Sequence, residues 1–207
     1  MNNESRRSLC DDSNTNTRTM RHRKAGRKLG RNPKHQRALL RNLTISLLMT
    51  EKEFGDKEPG APKVPGRIVT TLEKAKEVRP LVEKCVTLAR KAQKHLEAAK
   101  LLESPADRGT TQWKAWRTSE QWQNWNQAIS PALALRRRAF QILGDKEAVS
   151  ILFDKIGPRF VDRDGGYTRI LRLAKPRLGD AGTRAILEFV GKNDRTKKKS
   201  IVPTVEE

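Results

Sequence analysis

The sequence predicts an α+β domain that carries a basic N-terminal arm, and three observations predict it. Four segments repeat apolar residues at helical spacing, near 33–51, 72–92, 131–142 and 145–156. Three short runs are β-branched or alternating, at 67–71, 167–173 and 184–190. Ahead of them lies the stretch 20–37, MRHRKAGRKLGRNPKHQR, which holds no acid and almost nothing to bury.

That stretch concentrates the charge of the chain. The net charge is +20 over 207 residues, yet residues 20–51 carry nine Lys or Arg against one Glu, a net of +8. Arg21, Arg23, Lys24, Arg27, Lys28, Arg31, Lys34 and Arg37 repel one another, with His22 and His35 among them. A basic block is usually a solvated charge run. The complete absence of acids argues instead for a dense polyanion as partner. Nucleic-acid phosphates qualify, because Lys and Arg neutralise them and release condensed counterions. A concentrated arm on a moderately basic body suits a nucleic-acid binder.

Hydrophobic content of 35% is enough for a modest core. No apolar run approaches the ~18–20 residues that span a bilayer, and no signal-peptide core opens the chain. No membrane role is expected. Cys10 and Cys85 lie far apart in unlike contexts, which suits a reducing cytoplasm better than a disulfide framework.

Taken in order, residues 1–19 are polar and neutral overall, with Arg6, Arg7 and Arg18 against Glu4, Asp11 and Asp12, and they read as disordered. Met20 stands directly before the basic stretch and is a candidate start codon. A transit peptide is the alternative, although such peptides avoid acids. Residues 20–32 form the arm. A first helix spans about 33–51, with Asn32 as N-cap and Pro33 at the first helical position. Leu39, Leu40, Leu43 and Leu47 make its buried stripe, and Lys34, Arg37 and Arg41 fall on the other side. Residues 52–66 are a Pro/Gly loop. The β-branched run 67–71 reads as a strand. Thr70 and Glu73 have capping-box spacing and announce a second helix over about 72–92. Its stripe is Leu72, Ala75, Val78, Val82, Cys85, Ala89 and Ala92, interrupted by Pro80, which costs roughly 3 kcal/mol in a helix interior or forces a kink.

Residues 93–129 read as an insertion holding all four tryptophans, Trp113, Trp116, Trp122 and Trp125. Aromatics three apart on a helix share a face. That face either packs on the body, the favoured reading, or stacks on bases. A third helix over 131–142 starts at Ser130-Pro131 and ends near Gly144, with Leu133, Ala134 and Phe140 inward and Arg136, Arg137 and Arg138 outward. A fourth over 145–156 begins at Asp145 and stops at Gly157-Pro158, burying Ala148, Val149, Leu152 and Phe153. The last two strands follow, joined by the turn-rich 175–182. Residues 33–191 thus make one domain, and the tail from 192 reads as disordered.

Enzymatic chemistry is missing. His22, His35 and His95 have no metal-ligand spacing to Cys or acids. Gly26 and Gly30 lack the Gly-Lys-Ser/Thr end of a phosphate loop. No nucleophile motif is present, and no cofactor is expected. Residues 157–171 carry a different signal. Asp164-Gly165-Gly166 permits the positive φ of a tight turn, and places Arg159, Arg163 and Arg169 near Tyr167 in sequence. Tyr167 either stacks on a base or opens a strand as a core aromatic.

These residues resemble a known family. MRHRKAGRKLGR at 20–31, with residues 35–48, resembles the opening of the bacterial ribosomal protein L17 family of the large subunit. IVTTLEKAKE at 68–77 and TLAR at 87–90 look like its central signature, and GPRFVDRDGGYTRIL at 157–171 looks like its third. The resemblance covers roughly 20–51, 67–92 and 131–191. It implies a two-layer α/β domain, about four helices packed on a small three-stranded mixed sheet. It implies binding to large-subunit ribosomal RNA near the peptide exit, support of subunit assembly and translation, and neighbouring large-subunit proteins as partners. No small-molecule substrate is implied. RNA contact carries over to Arg21, His22, Arg23, Lys24, Arg27, Lys28, Arg31, Lys34, His35, Arg37 and Arg41, and to Arg159, Arg163, Tyr167, Arg169 and Arg172. The chain departs from the family in the 1–19 extension, the longer loop at 54–66, the Trp-rich insert, and Pro80 with Cys85. The rival expectation is a basic DNA- or RNA-architectural protein outside the ribosome.

Overall fold

The computed structural model describes residues 26–54, 60–104 and 106–191. The expectations for residues 1–25 and for the tail from 192 lie outside the described residues. Asn32 caps α1 (Pro33–Met49) as its sequence demands, its side chain accepting from the Lys34 N–H at 2.8 Å. The chain then runs through β1 (Arg67–Thr71), α2 (Leu72–Lys100), α3 (Thr111–Thr118), α4 (Glu120–Leu143) and α5 (Lys146–Ile151). A π-helical turn (Leu152–Ile156) and the short α6 (Gly157–Arg159) continue α5, and β2 (Thr168–Arg172) and β3 (Arg184–Phe189) close the chain.

The fold is α+β, with helices on one face of a three-stranded sheet. Strand β3 lies in the middle, in the order β1-β3-β2, and both pairings are antiparallel. The expected mixed sheet is therefore corrected. β2 and β3 are joined by residues 173–183, a connection without the helix that a parallel crossover uses, and β1 also runs antiparallel to β3. Ile68, Leu187 and Ile170 align across the strands on the face that packs into the core. Val69 and Leu171 point from the other face and are exposed, so the domain has two layers.

Helix α2 is the hub. Ala75, Val78, Val82, Cys85, Ala89 and Ala92 are buried along it, between α1, α4 and the sheet. Burial in this apolar stripe pushes the Cys85 thiol up to about 11, so it is a packing residue and no nucleophile. Leu47 and Leu48 of α1 are fully buried against the same cluster. Each contributes roughly 1.5–3 kcal/mol by leaving water.

Several helix limits differ from the sequence expectation. α2 does not stop at 92 but continues to Lys100, with Ala99 still buried. Its N-cap is Thr71, whose side chain makes no capping bond, so the Thr70–Glu73 capping box does not form. α4 begins at Glu120, not near Ser130, with Pro131 inside it. It turns Ala132, Ala139 and Leu143 inward, whereas Leu133, Ala134 and Phe140 are exposed. Gly144 ends α4 in the left-handed conformation, φ 75°, and Asp145 caps α5 by accepting from Glu147 and Ala148.

The tryptophan segment forms α3 and the first turns of α4. Helix α3 folds back on α4, and Trp116 meets Trp125 edge to face with centroids 5.7 Å apart. Arg117 lies over the Trp113 ring at 5.2 Å. All four indoles are half-buried and line a cleft of about 420 Å³ with Glu103 and Arg108. They share this cleft beside α3 and α4, with Trp116 on Trp125 as the ring pair among them.

Candidate nucleic-acid interface

The amphipathic pattern of α1 divides it into two working faces. Leu40, Leu43, Leu47 and Leu48 pack into the core. Lys34, Arg37 and Arg41 recur at i, i+3 and i+7 and are exposed, on a flank that the later turns of the helix bury through Thr44 and Leu48. Arg41 reaches the C-terminal end of α4, 3.7 Å from where a Cβ on Gly144 would stand. A cation there complements the helix dipole.

Before α1, the described part of the arm is tied back rather than free. Arg27 pairs with Glu77 of α2 at 3.4 Å, and Gln36 donates to the Gly30 carbonyl at 2.7 Å. Gly30 has φ 113°, a conformation that a residue with a Cβ resists. The Arg27 pair is half-exposed and adds at most about 1 kcal/mol. Its effect is to aim the arm. Lys28, Arg31, Lys34, His35, Arg37 and Arg41 are then all exposed on contiguous chain, with no ion pair among the described residues. Arg21, His22, Arg23 and Lys24 lie outside the described residues.

The 157–171 segment behaves differently from the sequence expectation. Tyr167 is 1% exposed and packs against Phe160 with centroids 5.2 Å apart, so base stacking by Tyr167 is corrected to a core role. Its N–H donates to Glu83 of α2 at 3.1 Å, and Thr168 donates to the same carboxylate through its N–H and its hydroxyl. The tight turn is present, with Gly166 at φ 64°. Arg90 of α2 fixes that turn from outside, donating to the Arg163 carbonyl at 3.0 Å and to Asp164 at 2.5 Å. Arg159 is occupied by Glu51 at 3.2 Å and by the Val190 carbonyl at 2.8 Å, and it covers the Phe160 ring. Arg163 donates to Gly165, and Arg169 pairs with Glu188. The segment is thus a clamp that fastens the sheet to α2.

Arg172 is the exception. It is exposed at the end of β2, in a groove of about 480 Å³ shared with Arg169 and with Lys76 and Arg79 of α2. Sequence reasoning missed Lys76 and Arg79. Their spacing along one helix was visible, but only the pairing of α2 with β2 sets them beside Arg172. Among the described residues no group of three or more His, Cys, Asp or Glu side chains could hold a metal ion.

Comparison with known proteins agrees with this geometry of a basic, non-catalytic surface on a small α+β body. The sequence profile of ribosomal protein L17 matches residues 39–190. A large ribosomal subunit protein bL17 from Rhodopirellula baltica is 60% identical over 188 residues, covering 91% of this chain and 89% of that protein. The bL17 proteins of Thermomicrobium roseum and Acidobacterium capsulatum are 37% and 36% identical, covering 83% and 87% of this chain and 99% and 78% of their own. The profile spans the elements from α1 to β3 that build the core, so the chain belongs to the ribosomal protein L17 family.

Proposed function

We propose that this protein is a structural constituent of the large ribosomal subunit in the cytoplasm. It binds large-subunit ribosomal RNA near the peptide exit and supports subunit assembly and translation. The arm at residues 20–32 and the outer face of α1 make the RNA contact, carried by a folded body at 33–191. One observation carries the reading: an acid-free run of cations stands exposed from the arm into the first turns of α1, while the leucines of the same helix pack into the core. Such a surface takes a phosphate backbone and has no chemistry to perform on it. The position near the exit and the protein neighbours rest on family membership.

A tagged copy expressed in its own cells, followed through a sucrose gradient, tests the reading. The protein should sediment with large subunits and shift to light fractions after RNase. Sedimentation with DNA, or with no particle, would favour an architectural role outside the ribosome.

A further inference from the structure

A second basic surface lies further along α2. Its helical neighbour α4 runs beside it, and the two form a groove of about 690 Å³ with the loop before β2. Arg90, Lys91, Lys94 and His95 line one wall and Arg138 the other, over a floor of Pro131, Ala134, Leu135 and Val161. Asp164 is the one carboxylate at its edge, and Arg90 already holds it at 2.5 Å. Lys91, Lys94 and Arg138 are exposed and make no ion pair among the described residues.

We propose that this groove is a second phosphate-binding surface for ribosomal RNA, one that none of the family-derived contacts includes. The proposal rests on the function proposed above and extends it. Three unpaired cations around one concavity repel each other when it is empty, and a phosphate backbone relieves that repulsion with release of counterions. The lysines sit one turn apart on a rigid helix, so their flexible stems can follow phosphates while the apolar floor excludes water. Arg27 touches α2 at Glu77, and Lys91 lies about 20 Å further along the same axis. Arm and groove therefore grip two separate stretches of RNA, with α2 as the spacer between them. An acidic neighbouring protein is the competing occupant. It is disfavoured because the groove's apolar floor is Pro, Ala, Leu and Val, without a Trp or Tyr to anchor a protein interface core.

The test compares the full-length chain with the triple variant Lys91→Gln, Lys94→Gln, Arg138→Gln. Affinity for deproteinised large-subunit RNA is measured across salt. The variant should melt with the parent, and its log–log salt slope should flatten by roughly 0.7–0.9 for each of the three cations removed. A parent that binds with salt dependence and a variant with the same slope would overturn the groove while leaving the proposed function intact. A parent that binds no RNA would overturn both. Should the variant fold poorly, ultraviolet cross-linking of the native protein in assembled subunits decides the matter. Cross-links from residues 90–95 to RNA support the groove, and cross-links to a protein neighbour sink it.

Discussion

Gln93 decides the path of the chain after α5. Its buried amide donates to the Phe153 carbonyl at 2.8 Å. In the π-helical turn Gly157 N–H turns to Leu152, and the N–H next in register for Phe153 would be that of Pro158, which has none. Gln93 supplies the missing donor from another helix. It can do so because residue 157 is glycine, where a Cβ would stand 2.5 Å from the Gln93 amide nitrogen. Gly157→Ala should therefore displace that amide and leave the Phe153 carbonyl unpaired, at about 1–3 kcal/mol. Urea denaturation measures it, and the double variant with Gln93→Ala should lose little more than either single one. Additive losses would mean that the two residues act separately. At this scale the sequence was readable in part. Gly157-Pro158 marked a break in the helix, but its partner sits far upstream on α2, where nothing in the local pattern announces a polar residue's burial.

At the scale of elements, the two internal prolines explain why the helix limits differ from the sequence pattern. Pro131 looked like a helix start and Pro80 like an interruption, because each removes one backbone donor. In the fold both are exposed, and the carbonyls whose helical donors they remove belong to Lys76 and Gln127, which are exposed residues as well. Packing of α2 on α4 then holds each helix through its proline. The extension of α2 beyond 92 has a related cause. The tryptophans suggested an insertion, but residues 94–100 are good helix formers that continue the buried stripe to Ala99. Caps were easier to read, since Asn32, Gly144 and Asp145 act locally. If packing overrides Pro80, then Pro80→Ala should regain a hydrogen bond and relieve the clash with the preceding turn. Stability should rise by about 1–3 kcal/mol at an unchanged circular dichroism spectrum. A loss of stability would show that α2 requires a bend at this point to reach both the sheet and α4.

At the scale of the whole molecule, exposed cations and buried apolar residues are divided between different positions of the same elements. The basic run was legible because its cations are close in sequence. The grooves were not, because Lys76 meets Arg172, and Lys91 meets Arg138, only after helices and strands have paired. The 157–171 motif shows the converse: its cations are close in sequence, yet folding pairs Arg159 with Glu51 and Arg169 with Glu188. This division makes a sharp prediction. Arg27→Gln, Lys28→Gln and Arg31→Gln together remove one half-exposed ion pair and no buried side chain, so the melting temperature should hardly change. The salt slope for ribosomal RNA should flatten by roughly 0.7–0.9 for every phosphate that no longer meets a cation. The weakening should be similar across RNA sequences, because phosphate contacts position without reading bases. Leu47→Ala should do the opposite. Its side chain is fully buried, so about 2–5 kcal/mol of stability should go, while the salt slope of the folded fraction stays as it was. Calorimetry and salt-dependent binding on both variants check the pair. An arm variant that melts early with its salt slope intact would make the arm part of the core, and the cations of α1 would then have to carry the RNA alone.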